Sequence, residues 1–220
     1  MNIQRPETWP TTVEEAMVIQ NQLKSLVRTT DELETVKYVA GVDVGFKQNY
    51  TISQAAVAVL SFPDLSVQET AIAQRSTTFP YIPGFLSFRE VPVILDVLEK
   101  LTITPDLIIC DGQGIAHPRR FGLACHLGVL IDQPTIGAAK SLLIGKHDDL
   151  PAEKGSWTPL QDKGEIIGAV LRSRTNVRPL YISPGHRISL ETSIDYVLKC
   201  ITQYRLPETT RWADKLASHT

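Results

Sequence analysis

Residues 105–145 read PDLIICDGQGIAHPRRFGLACHLGVLIDQPTIGAAKSLLIG, and this stretch decides the fold. Leu107–Cys110 is a short apolar run, the pattern of a buried strand. It gives out at Asp111-Gly112-Gln113-Gly114, so a carboxylate stands at the strand end among glycines, with His117, Arg119 and Arg120 just beyond. Residues 121–131 are apolar over a helix length, and Asp132-Gln133-Pro134 leads into a small-residue strand, Thr135–Ala139, that ends in Lys140. Open α/β sheets gather their sites at the carboxyl ends of strands joined in this way. Here those ends carry an anion, an imidazole and cations. That set suits a metal and a phosphate better than an apolar ligand.

Upstream, residues 37–46 (KYVAGVDVGF) form a strand pattern with Asp43 inside it. An aspartate in an apolar strand is costly unless it is paired, hydrogen-bonded or bound to a metal. Gly41 and Gly45 on either side let another group approach closely. Residues 52–62 and 65–78 are two more strand-like runs joined through Pro63-Asp64, which predicts an antiparallel meander. Residues 12–28 read as an amphipathic helix opened by a Thr12/Glu15 capping box, expected to pack on the sheet and do no chemistry. Residues 79–86 (FPYIPGFL) form a stiff loop in which two prolines brace Tyr81. A helix is expected from Ser87 to Leu101.

Downstream, residues 147–164 are polar and turn-rich, a surface loop or hairpin. Residues 165–172 and 179–183 are strand-like. Residues 189–204, with Ser189 as N-cap, and 208–216 are helical. The resulting architecture is α/β: a mixed five-stranded central sheet, three strands antiparallel and two parallel, flanked by helices, with additional C-terminal strands and helices. Ribonuclease H-like domains share that arrangement. One domain over residues 1–220 accommodates all of it.

Of the 220 residues, 43% are hydrophobic and 21% charged, enough for a sizeable core. The three cysteines show no close-set metal spacing and point to a reducing cytoplasm. No apolar run is long enough to span a bilayer. The net charge of −2 hides an uneven distribution. Residues 1–111 carry 8 Lys/Arg against 14 Asp/Glu, whereas residues 112–187 carry 10 against 6. The basic excess follows the central carboxylate, so the overall balance does not exclude a nucleic-acid partner.

Asp43 and Asp111 are the principal chemical pair. Neighbouring strands would bring both carboxylates together, and a hard cation such as Mg²⁺ between them would relieve their repulsion. Singly, Asp43 also fits a turn cap and Asp111 an Asx-turn with Gly112. Glu90 has a competing explanation, since Ser87-x-x-Glu90 is a capping-box pattern. His117 suits general acid–base work, a phosphate contact or a structural role. Lys140 suits a scissile phosphate or a solvated loop. Arg119 and Arg120 suit phosphate-backbone contacts. Gly112-x-Gly114 lacks the third glycine of a dinucleotide fingerprint.

Taken together, Gly41-Val42-Asp43-Val44, Pro80-Tyr81-Ile82-Pro83-Gly84 with Phe88-Arg89-Glu90, Asp111-Gly112-x-Gly114-Ile115-Ala116-His117-Pro118-Arg119, Thr135-Ile136-Gly137-x-Ala139-Lys140 and Gly185-His186-Arg187-Ile188-Ser189-Leu190 resemble the endonuclease V family in order over nearly the whole chain. The resemblance implies a ribonuclease H-like fold. It implies a Mg²⁺-dependent repair endonuclease, with Mn²⁺ as a substitute, that nicks DNA at the second phosphodiester bond 3′ to a deaminated purine. It further implies that Asp43 and Asp111 hold the metal, Glu90 joins them around its waters, Lys140 steadies the attacked phosphate and His117 lies near the reacting strand. Tyr81 would be a wedge filling the gap left by the displaced base. Pro83, Gly84, Leu86, Gly112, Arg119 and Gly122 would belong to substrate binding, the glycines and Leu86 to a backbone-lined base pocket. Asp214, where some members have histidine, would be a third metal ligand. An inosine-directed endoribonuclease with the same site, a lesion-binding module that does not cut and a nucleotide-cofactor enzyme stay open as alternatives. The expected partner is DNA containing deaminated bases or inosine-containing RNA, the expected state a monomer, and no membrane partner is expected.

Overall fold

A computed structural model of the chain describes residues 1–219. Eight strands form one sheet in the order β3-β2-β1-β4-β5-β8-β7-β6. They are β1 (Tyr38–Lys47), β2 (Ile52–Ser61), β3 (Val67–Ser76), β4 (Leu107–Cys110), β5 (Thr135–Ala139), β6 (Trp157–Asp162), β7 (Glu165–Leu171) and β8 (Leu180–His186). The pairs β1–β4 and β4–β5 are parallel; the others are antiparallel. The ribonuclease H-like expectation holds, and the C-terminal strands extend the same sheet beyond β5. β6, with Pro159 at its centre, lies inside the stretch expected as a polar loop or hairpin and pairs with β7.

The helices are α1 (Val13–Leu23), α2 (Leu86–Leu98), α3 (Leu123–Ile131), α4 (Leu190–Lys199) and α5 (Glu208–His219). Period-2 alternation divides the core. Ala40, Val42, Ile108 and Cys110 join α2 and α3 on one face, while Val39, Leu107, Ile109, Ile136 and Ala138 join α4 and α5 on the other. Asp43, Asp111 and Lys140 continue the second parity. The registers Val42↔Cys110 and Cys110↔Gly137 then set Asp43 level with Asp111, and Lys140 two residues beyond.

The expected use of Gly41 and Gly45 is what the packing shows. A Cβ on Gly41 would stand 2.1 Å from the Thr209 carbonyl carbon, and one on Gly45 would stand 2.7 Å from the Ala217 carbonyl oxygen. α5 therefore runs along β1 with its backbone against the strand. Four strand residues and eight helical residues both cover roughly 12–13 Å, so the two elements stay in step.

Two expectations about helices are corrected. α1 does carry the Thr12/Glu15 capping box, but its buried residues are Ala16 and Gln20. Ala16 packs with Phe79, Phe85 and Phe88, under the Tyr81 loop rather than on the sheet. α2 begins at Leu86 with Phe85 as N-cap and no side-chain cap, and Ser87 Oγ instead lies 3.0 Å from His126 Nδ1. The capping-box explanation of Glu90 thus falls away.

Candidate active site

The carboxyl ends of β1, β4 and β5 meet the middle of α5, and this junction collects the acids. One carboxylate oxygen from each of Asp43, Asp111 and Asp214 can be chosen so that all three lie within 4.8 Å of one another. Lys140 Nζ stands 2.5 Å from Asp111 Oδ2 and 3.4 Å from Asp214 Oδ1. Glu90 is buried on the first turns of α2, close enough to feel the charges of Asp43 and Asp111.

This crowding is expensive without a cation. Burial, then the Asp111 charge, pushes Asp43 up to about 7. Burial, then Asp43 and Asp111, pushes Glu90 well above the usual carboxylate range. Burial also raises Asp111, against the opposing pull of Lys140. Burial works against the Lys140 ammonium, but Asp111 outweighs it and leaves that group above the ordinary lysine value. Four carboxylates and one ammonium are a net anionic set of hard oxygen donors, which fits a divalent cation such as Mg²⁺ and gives it several oxygens to bind.

A cleft of about 330 Å³ adjoins this cluster, in the size range of small-ligand sites. Its lining includes Tyr81, Pro83, Gly84 and Leu86, then Gly112, His117 and Gly122, together with Asp111 and Lys140 of the acid cluster. The ring of Tyr81 at the rim is 68% exposed. Gly84 sits at φ +82°, where a side chain would be strained, and its carbonyl accepts three hydrogen bonds. The donors are His117 Nε2 (3.0 Å), Arg119 Nη2 (2.6 Å) and Gln20 Nε2 (3.0 Å).

The Arg119 backbone N–H donates to His117 Nδ1 at 3.2 Å, so the proton of a neutral ring sits on Nε2 and points to Gly84. Burial, then the Arg119 charge, holds His117 down to about 4, so it is neutral at physiological pH. Arg119 and Arg120 are both held by partners within the protein. Arg119 serves Gly84 and Gln20, and Arg120 pairs with Asp162 and Glu165. Arg89 is different: it stacks over Phe46 with its guanidinium carbon 4.1 Å from the ring centroid, and its buried Nε has no partner.

The fold thus gathers Asp43, Asp111 and Asp214 beside Lys140, sets Glu90 within range of the Asp43 and Asp111 charges, and places the predicted base-pocket residues around one cleft. Sequence reasoning missed three polar groups behind them. Gln20 joins Gly84 to the Phe121 carbonyl, Gln113 Nε2 donates to the Ser141 carbonyl at 3.1 Å, and Arg205 Nη2 donates to the Lys140 carbonyl at 3.0 Å. The available signal for Gln20 was a polar residue four places after Ala16 on a helix otherwise chosen for its apolar stripe.

Comparisons with known proteins converge on one family. The family model described as Endonuclease V matches residues 21–215. An endonuclease V of Rippkaea orientalis is 66% identical over 219 residues, covering 100% of this chain and 96% of that protein. The crystal structure of the endonuclease V of Streptomyces avermitilis has 41% identity and a TM-score of 0.92, covering 99% of this chain and 96% of that one. The endonuclease V of Ciona intestinalis, solved with a 24mer DNA containing an inosine followed by a ribo-adenosine, has 29% identity and a TM-score of 0.83, covering 93% of this chain and 95% of that one.

Proposed function

The chain belongs to the endonuclease V family, and from that premise we propose that it starts the repair of deaminated DNA. It cuts the second phosphodiester bond on the 3′ side of deoxyinosine or another deaminated base, leaving 3′-hydroxyl and 5′-phosphate ends. It uses Mg²⁺, for which Mn²⁺ substitutes. One domain carries the activity, acting as a cytoplasmic monomer; no helix among the described residues is long and apolar enough to cross a membrane.

The observation that carries the reading is the contact between the two halves of the site. The three-aspartate cluster, through Asp111, adjoins a cleft that Gly84, Gly112 and Gly122 help to line and to which the exposed Tyr81 also contributes. Asp43, Asp111 and Asp214 hold the cation. When bound, the cation supplies Lewis-acid stabilisation of the phosphoryl charge and lowers the pKa of water. Glu90, buried beside Asp43 and Asp111, accepts in its ionised form the proton of the attacking water. Lys140 stays cationic and neutralises the developing charge on the attacked phosphate. Backbone groups at Gly84, Leu86, Gly112 and Gly122 read the flipped base, and Tyr81 fills the space that it leaves. His117 and Arg119 hold the Gly84 wall beside the reacting strand.

An Asp43→Ala protein is expected to bind inosine DNA in a mobility-shift assay and to leave it uncut; full incision by that variant would refute the assignment. A second reading, cleavage at a ribonucleotide 3′ to inosine, draws on the ribo-adenosine in the Ciona complex. Matched duplexes that differ only in the 2′-hydroxyl at that position decide between them.

A further inference from the structure

Gln20 is wholly buried, yet it lies on α1, far along the chain from the acids and the pocket residues. Its amide ties together backbone beside the cleft. Nε2 donates to the carbonyl of Gly84 at 3.0 Å and to that of Phe121 at 3.4 Å, while Oε1 accepts from Arg119 Nε. Gly84 lines the cleft, and Phe121 directly precedes Gly122, which lines it too. Around it, Ala16 of α1 packs with Phe79, Phe85 and Phe88, and the Arg119 guanidinium lies 4.2 Å over the Phe85 ring.

We infer that Gln20 is a positioning residue that fixes the spacing of the Gly84 backbone from the Phe121-Gly122 backbone and the seat of the Tyr81 loop, and so governs capture of the displaced base. This rests on reading the cleft as the base site. A wall made of backbone recognises a base edge only while its N–H and C=O groups keep a fixed spacing, because no side chain can adjust to compensate. The Gly84 carbonyl takes donors from α1 and from the His117–Arg119 loop, and of these donors Gln20 also bonds the Phe121 carbonyl next to Gly122. Gln20 touches neither the acid cluster nor Lys140, so its loss acts on binding rather than on the chemical step.

The test is Gln20→Met, which keeps the buried volume and removes both donors and the acceptor. Val197→Ala, in the α4 core on the other face of the sheet, is the control for lost stability. With a duplex carrying one inosine, Gln20→Met is expected to raise KM by about tenfold while kcat stays within about threefold, the effect of roughly one hydrogen bond. Without DNA, chymotrypsin is expected to cut after Tyr81 several times faster in Gln20→Met and no faster in Val197→Ala. An unchanged KM with wild-type incision intact overturns this inference alone. An equal KM rise in Val197→Ala also overturns it, and so does an unchanged rate of cleavage after Tyr81. Failure of the wild type to nick inosine DNA refutes the functional reading instead, and the protease comparison still judges the clamp. If Gln20→Met does not fold, Gln20→Glu keeps the acceptor for Arg119, lacks both donors and carries the same expectations.

Discussion

Asp43 and Asp214 come within metal-sharing distance because α5 rests directly on β1, with Gly41 and Gly45 as the two points of contact on either side of Asp43. The strand places Asp43 between its two glycines, on the face that α5 covers. The helix places Asp214 between Thr210 and Ala217, the segments those glycines touch. Small residues in the strand thus decide whether a carboxylate from the far end of the chain can join the site.

Gly41→Ala tests that relationship. The new methyl would collide with backbone, which cannot swing away, so α5 must shift. A loss of about 2–3 kcal/mol is expected, or roughly 5–10 °C in Tm for a chain of this size. Metal affinity should fall by more than tenfold in a Mn²⁺ titration. Tight binding at unchanged Tm would show that α5 tolerates displacement.

Asp43→Asn should make the metal-free protein more stable at pH 8. Folding lifts Asp43 from about 3.9 to about 7. Between those values the folded state keeps a proton that the unfolded chain has released, so the contribution of this group to stability falls as pH rises through that window and stays low above it. Asparagine carries no such charge. In EDTA the variant should gain about 2 kcal/mol, roughly 4–8 °C, at pH 8 and nothing at pH 4. Saturating Mg²⁺ should reverse the order, because the cation binds the wild-type carboxylate. Melting curves at the two pH values, with and without metal, check this.

Lys140→Met should lower kcat by about 10²–10³ with a smaller change in KM, since the ammonium acts on charge that develops during reaction. Removing the 2.5 Å partner of Asp111 should also raise that carboxyl further. The acid limb of the pH–rate profile therefore moves to higher pH. An unmoved limb would separate Lys140 from the titration of the acids.

Tyr81→Ala should leave Tm within about 1 °C, because the ring is exposed and packs on little. KM for a duplex containing inosine should rise, whereas KM for the same strand unpaired should change little, since no stacked gap has to be filled. Equal losses on both substrates would assign Tyr81 to binding of the strand itself.

The strands β1, β4 and β5 were legible in the sequence as apolar or small-residue runs, but setting Asp43, Asp111 and Lys140 on one face took the registers Val42↔Cys110 and Cys110↔Gly137. The apolar run from residue 107 to residue 110 and the carboxylate after it needed no tertiary information. Glu90 was obscured by a local pattern, because Ser87-x-x-Glu90 mimics a capping box that the true start at Leu86 displaces. For Arg119 and Arg120 the sequence shows charge but not the partners Gly84, Gln20, Asp162 and Glu165 that hold them in the fold. Gln20 was missed because its three partners lie 64 to 101 residues away, beyond any periodicity.

The most direct measurement is incision of an end-labelled duplex with a single deoxyinosine, in Mg²⁺ or in EDTA, mapped at single-nucleotide resolution. The expected result is one metal-dependent nick at the second phosphodiester bond 3′ to the inosine, absent from the undamaged duplex. A nick that persists in EDTA, a cut at another bond or lesion binding with no cut would contradict the assignment of the three aspartates and the cleft to one reaction.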